Sequence, residues 1–139
     1  MSVIADSAPA APSDPIRVVN LAEAFGRFTG TGSPKIADDL NGQQVKLARI
    51  EGAFIWHAHA DEDELFLVVE GGFRMDLREP GGAERSVEVA AGEFVIVPRG
   101  VEHRPVAERP ASILLFEPAT THHTGGVDSP RTVHVLDRL

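Results

Sequence analysis

Cysteine is absent from this chain. Disulfides, thiolate chemistry and cysteine-ligated zinc are thereby excluded. No apolar stretch approaches the roughly 20 residues that a membrane-spanning helix needs, so a membrane partner is not expected. Basic residues are scarce, 13 Lys and Arg against 21 Asp and Glu, for a net charge of −8. That shortage disfavours nucleic acid and anionic membrane as partners, because phosphate binding needs clustered cations. The acidity itself serves solubility. Residues 1–15 contain Ala8-Pro9-Ala10-Ala11-Pro12 but neither a basic n-region nor a long apolar h-region. They are expected to be a disordered tail and not a signal peptide, with the cytoplasm as the default location. Internal repeats and long linkers are also missing. What remains is a chain of 139 residues with 42% hydrophobic content, enough for one domain, residues 16–139, with a modest core.

The most informative stretch runs from Ile55 to Gly71. Phe54-Ile55-Trp56 reads as a strand leading into His57 and His59, and alternate strand residues share a face, so both imidazoles point the same way. Asp61-Glu62-Asp63-Glu64 then makes a polar turn into a second apolar run, residues 65–69. Pairing of the two runs as a hairpin would return Glu64 towards the histidines. Downstream, Gly92 opens an apolar run, Pro98-Arg99-Gly100 turns, and His103 follows. Three neutral imidazoles and one carboxylate suit Fe(II), Mn(II), Ni(II) or Zn(II), in contrast to the all-oxygen sites of calcium and magnesium. A lone histidine on an apolar strand is ordinarily a hydrogen-bonded core residue. Two such units together favour one divalent transition metal held by His57, His59, Glu64 and His103.

With those residues the sequence resembles the cupin superfamily, whose motifs are G-x5-H-x-H-x3-4-E-x6-G and G-x5-P-x-G-x2-H-x3-N. His57, His59, Glu64 and Gly71 match the first, with Gly52 one residue too near His57. Gly92, Pro98, Gly100 and His103 match the second, with Ala107 where Asn is usual. Neither departure touches a ligand. The resemblance covers about residues 43–117. It implies an all-β fold, a small jelly-roll-type β-barrel with the metal inside, and commonly a homodimer.

Around that centre, residues 16–19 suggest a short strand. Asn20 with Glu23 is a helix-start signature, and Leu21, Ala24, Phe25 and Phe28 give a short N-terminal helix one apolar face. Gly30-Thr31-Gly32-Ser33-Pro34 ends it and lacks the Gly-Lys-Ser/Thr ending of a phosphate-binding loop. Asn41-Gly42 predicts a hairpin turn between residues 36–40 and 45–50. Phe73, Met75 and Leu77 alternate with polar residues, and Val87 and Val89 alternate on a return strand. Residues 94–97 read as a buried strand and residues 113–116 as another. Val133 and Val135 suggest a last strand, with His134 exposed.

Parity also sets expectations for a cavity. Ile55, Phe66, Val68 and Pro105 are expected to point inward, so the pocket suits a small, mostly hydrophobic ligand with a chelating polar end. Phe54 and Trp56 have the opposite parity and are expected under a covering segment or at a subunit interface. Arg49 either clamps a substrate carboxylate or lies on the surface. His122 and His123 cannot both face one metal; they read as loop residues, with the alternative that one caps the barrel mouth. An octahedral metal on four ligands would keep two positions for substrate. Together with those open positions, the resemblance to cupins, whose members include dioxygenases, implies a metal-dependent dioxygenase of a small enolisable or keto-acid compound. The alternatives are a sugar or keto-acid isomerase, with His123 or Glu51 as base, and a non-catalytic small-molecule binder. A basic cluster for a sugar phosphate is not evident.

Overall fold

The computed structural model of the chain describes residues 15–127 and 135–139. One short helix, α1 (Leu21–Phe25), precedes seven strands: β1 (Lys35–Leu40), β2 (Gln43–Ala53), β3 (Glu64–Glu70), β4 (Gly72–Arg78), β5 (Glu84–Ala90), β6 (Phe94–Val97) and β7 (Glu102–Pro118). All pairings between these strands are antiparallel. The long β7 organises them. Its first part, Glu102 to Val106, pairs with β4, and its later part lies between β2 and β3. The order is β1-β2-β7-β3-β6, with β4 and β5 branching from β7. The sheet thus wraps around one core without complete closure, and the all-β architecture with a short helix matches the expectation.

Local chemistry explains the main turns. Asn41 and Gly42 both have positive φ, 51° and 78°, the backbone demanded by the tight hairpin turn that joins β1 to β2. Asn20 caps α1, its side chain accepting from the Glu23 N–H at 2.9 Å. Glu23 does not complete the reciprocal box; its carboxylate takes the Arg27 guanidinium instead.

Two apolar clusters lie on opposite faces of the sheet. The inner one holds Phe66, Val68, Phe73, Met75, Ile113 and Leu115. The outer one packs Ala24 and Phe25 of α1 over Leu47, with Leu114 and Val69 alongside. Arg49 holds the helix there. Its guanidinium donates to the carbonyls of Phe25 and Phe28 and lies over both rings, 5.5 and 4.9 Å from their centroids. The arginine is therefore neither a substrate clamp nor a free surface residue. Its parity was disturbed by the bulge between Ile50 and Gly52.

Several other expectations need correction. Residues 54–56 form no strand, and β3 pairs with β6 and β7, so the expected hairpin of residues 54–57 with residues 65–69 does not form. The apolar run of β6 is not buried throughout: it lies at the end of the strand order, with Phe94 60% and Ile96 53% exposed. Residues 16–19 form no strand, and Val18 is exposed. Val135 is exposed too, and the described residues 135–139 meet β1 through a parallel bridge between Arg138 and Ile36 instead of a strand. Val133, His134 and residues 1–14 of the expected tail lie outside the described residues. Among the described residues no helix is long and apolar enough to cross a membrane.

Candidate metal centre

His57, His59, Glu64 and His103 converge, each offering a ligand atom, and these atoms lie within 4.8 Å of one another. All four side chains are buried. Three pieces of backbone bring them together. His57 bridges to His103, with N–H···O bonds in both directions at 3.1 and 2.8 Å. Glu64 opens β3, and His103 lies near the start of β7. The turn before His103 is tied back because the Gly100 N–H donates to the His59 carbonyl at 2.8 Å. Gly100 has φ 81°, a conformation that favours glycine there.

Second contacts set which ring edge faces inward. Nδ1 of His57 lies 2.9 Å from the Ile55 carbonyl, and Nδ1 of His103 lies 2.9 Å from the Val101 carbonyl. A carbonyl only accepts, so each Nδ1 carries the proton, leaving Nε2 as the available ligand atom. Glu64 Oε1 lies 2.8 Å from His59 Nε2 and 3.1 Å from His103 Nε2. The approach to His59 is badly aligned for a hydrogen bond, and its Nε2 is a buried nitrogen without a hydrogen-bond partner. An orphaned imidazole nitrogen beside a carboxylate and two oriented rings is a donor set that fits a divalent transition metal.

The electrostatics agree. Burial pushes His57 down to about 4, with the neighbouring His103 acting in the same direction, so the ring is neutral and able to ligate. Burial alone would raise Glu64, but the polar side chains around it, His103 foremost and then His59 and Glu117, prevail and hold its carboxyl below the usual range. A second carboxyl, Glu117, lies against Glu64, and burial followed by the Glu64 charge pushes it well above the usual value. Lys46 sits on the far side of Glu117, Nζ to Oε2 at 2.6 Å, and both side chains are 1% exposed.

Beside the cluster lies a cavity of about 50 Å³. Its walls include Ile50, Phe54, Phe66, Ile113 and Leu115, with His57 and Glu64 at the metal end. Phe66, Val68 and Pro105 point in as expected, Val68 into the inner core beside the cavity, whereas Ile55 is half-buried without lining the space. Phe54 takes that place, its ring 5.4 Å from His57 and 5.9 Å from His123. Trp56 is half-buried under Arg78 and Arg104, whose guanidinium carbons lie 4.1 and 5.0 Å from its ring centre. His123 is buried and lines the cavity while His122 is exposed, so one of the two histidines does cap the site. Glu51 is exposed and does not line the cavity. The sequence reading missed Lys46, Glu117, and Gly32 with Pro34 as cavity wall. Lys46 could have been found by parity, since it shares a face with the buried Ala48. A more open groove of about 420 Å³ beside Arg74 and Arg109 shares no lining residue with the cluster.

Fold and site together define a β-barrel whose buried His-His-Glu-His cluster could hold a metal, and the chain belongs to the cupin family: the sequence model of the Cupin domain (Cupin_2) matches residues 44–117. Among solved structures it is similar to a cupin-2 domain containing protein from Shewanella frigidimarina. The identity is 38%, with 73% of this chain and 94% of that chain covered and a TM-score of 0.68. It is also 33% identical over 66 residues to the uncharacterized protein YdbB of Bacillus subtilis, 48% of this chain and 55% of that protein. The chain thus matches about half the length of this curated relative. A hydroquinone 1,2-dioxygenase from Sphingomonas, with 4-hydroxybenzoate bound, shares the fold at 17% identity and a TM-score of 0.63, over 80% of this chain and 85% of that one.

Proposed function

We propose that the chain is a metal-dependent dioxygenase acting on a small enolisable or keto-acid compound, with His57, His59, Glu64 and His103 as metal ligands. The observation that carries this reading is the buried His-His-Glu-His cluster beside a small apolar cavity. One carboxylate on a divalent ion leaves a formal charge of +1, which favours a ligand with two close oxygens, one of them anionic. Iron, manganese, nickel and zinc all suit the donors, and iron is the ion this reading requires. When bound, it supplies Lewis-acid polarisation and the redox capacity for reaction with oxygen.

The chain's own residues bind and shelter. Phe54, Phe66, Ile113 and Leu115 hold the apolar body of the ligand and keep water out. At about 50 Å³ the cavity is far below the several hundred Å³ of larger ligand sites, so a compact molecule is favoured. His123 lies where its imidazole can take or return a proton. The fold shared with the Sphingomonas dioxygenase supports the scaffold's suitability for such chemistry, while function rests on the site.

The buried His123 also favours a second reading, a sugar or keto-acid isomerase in which His123 moves a proton beside a carbonyl that a metal held by the four ligands would polarise. An oxygen electrode separates the two. Iron-loaded protein offered a panel of diketones and keto acids should take up oxygen only with iron, substrate and His103, with His103→Ala as control. Proton exchange at the substrate carbon with manganese or zinc, without oxygen uptake, would favour the isomerase. Tight binding with neither reaction would indicate a non-catalytic binder. We further propose that two copies associate through the apolar outer face formed by Leu65, Leu67, Phe94, Ile96 and Phe116, which the registers of β3 with β6 and β7 align.

A further inference from the structure

Lys46 and Glu117 form a buried pair between Thr121 and the Glu64 carboxyl. Their side chains are each 1% exposed, with Nζ 2.6 Å from Oε2. Lys46 is held from the other side by the Thr121 carbonyl at 3.3 Å. In the β2–β7 register Lys46 faces Leu115 and Gln44 faces Glu117, so the pair meets diagonally on the inner face. In the β3–β7 register Leu65 faces Phe116, and one step further sets Glu64 across from Glu117. Glu117 Oε1 is buried without a hydrogen-bond partner of its own. The result is a continuous line of groups: Thr121 carbonyl, Lys46, Glu117, Glu64, and then His59 and His103.

Stability alone gives little reason for that arrangement. Removing a lysine and a glutamate from water is costly, and apolar side chains of similar volume often serve a fold equally well or better. Contacts behind metal ligands, in contrast, fix ligand orientation and raise affinity. We propose that Lys46 and Glu117 are positioning residues of the metal centre: Lys46 fixes the Glu117 carboxyl, and Glu117 holds the Glu64 carboxylate facing the histidines. This rests on the reading that His57, His59, Glu64 and His103 ligate a metal.

The test uses Mn(II) alone as probe on the full chain. Wild type, Glu117→Leu, Glu117→Gln and the double variant Lys46→Met/Glu117→Leu are titrated with Mn(II), the bound ion is examined by electron paramagnetic resonance, and each metal-free protein is melted. The double variant should fold with a melting temperature near the wild type's, bind Mn(II) roughly 10–100-fold more weakly, and give an altered spectrum. Glu117→Gln, which keeps the shape and can donate an N–H to Glu64, should recover most of the affinity. A folded double variant with wild-type affinity and spectrum overturns the proposal. A double variant that does not fold marks the pair as structural and overturns it too. Failure of the wild type to bind Mn(II) removes the centre itself, and the wild-type arm distinguishes that from failure of the positioning role.

Discussion

His57 is held neutral by its surroundings, which makes the metal-free protein sensitive to mild acid. Its ring takes up a proton near pH 6.5 in the unfolded chain but only near about 4 in the fold, chiefly because of burial. The stability it contributes is therefore complete above 6.5 and declines as pH falls towards 4, by up to about 3 kcal/mol. Glu64, held below the usual carboxylate range, adds its own loss only at lower pH. Melts of metal-free protein across this range should show the decline, and His57→Asn should flatten it. A melting temperature independent of pH over that range would contradict the account. The four candidate ligands were legible in the sequence because metal-ligating residue types recur there at restrictive spacings. The pairing of Lys46 with Glu117 was not, although strand parity points to the inward face for Lys46. In sequence each is one charged residue in a strand, and only the β2–β7 register brings them together in the interior.

The elements divide according to how much of their chemistry is local. The β1–β2 hairpin was legible because Asn41-Gly42 encodes its own turn, and α1 because Asn20 caps it. Residues 54–56 were misread because a short apolar run fits a strand as well as an extended segment packed beside a site. The same ambiguity affected β6, where Val97 points into the core while Phe94 and Ile96 project outward from the end of the strand order. On the proposed assembly that exposed pair is interface. Light scattering at micromolar concentration should give twice the mass of the 14.9 kDa chain. Phe94→Glu together with Ile96→Glu should shift the protein to monomer while leaving its far-ultraviolet circular dichroism unchanged. A wild-type monomer would refute the pairing.

At the scale of the whole molecule, the architecture brings residues distant in sequence to one small volume. The bridge between His57 and His103 joins the two motifs, β3 presents Glu64 beside them, and the turn carrying His123 closes the cavity. That closure was hard to read because it depends on how residues 119–127 return across the barrel, which no local pattern encodes. Gly125 shows how closely they return: a side chain there would collide with the Ala58 carbonyl. On the proposed function, this volume holds one metal ion on His57, His59, Glu64 and His103. Elemental analysis of protein purified without a metal-chelating tag tests it directly, with His59→Ala as the partner sample. Up to one transition metal per chain is expected in the wild type, with its loss from His59→Ala. Undiminished metal in the folded variant would contradict it.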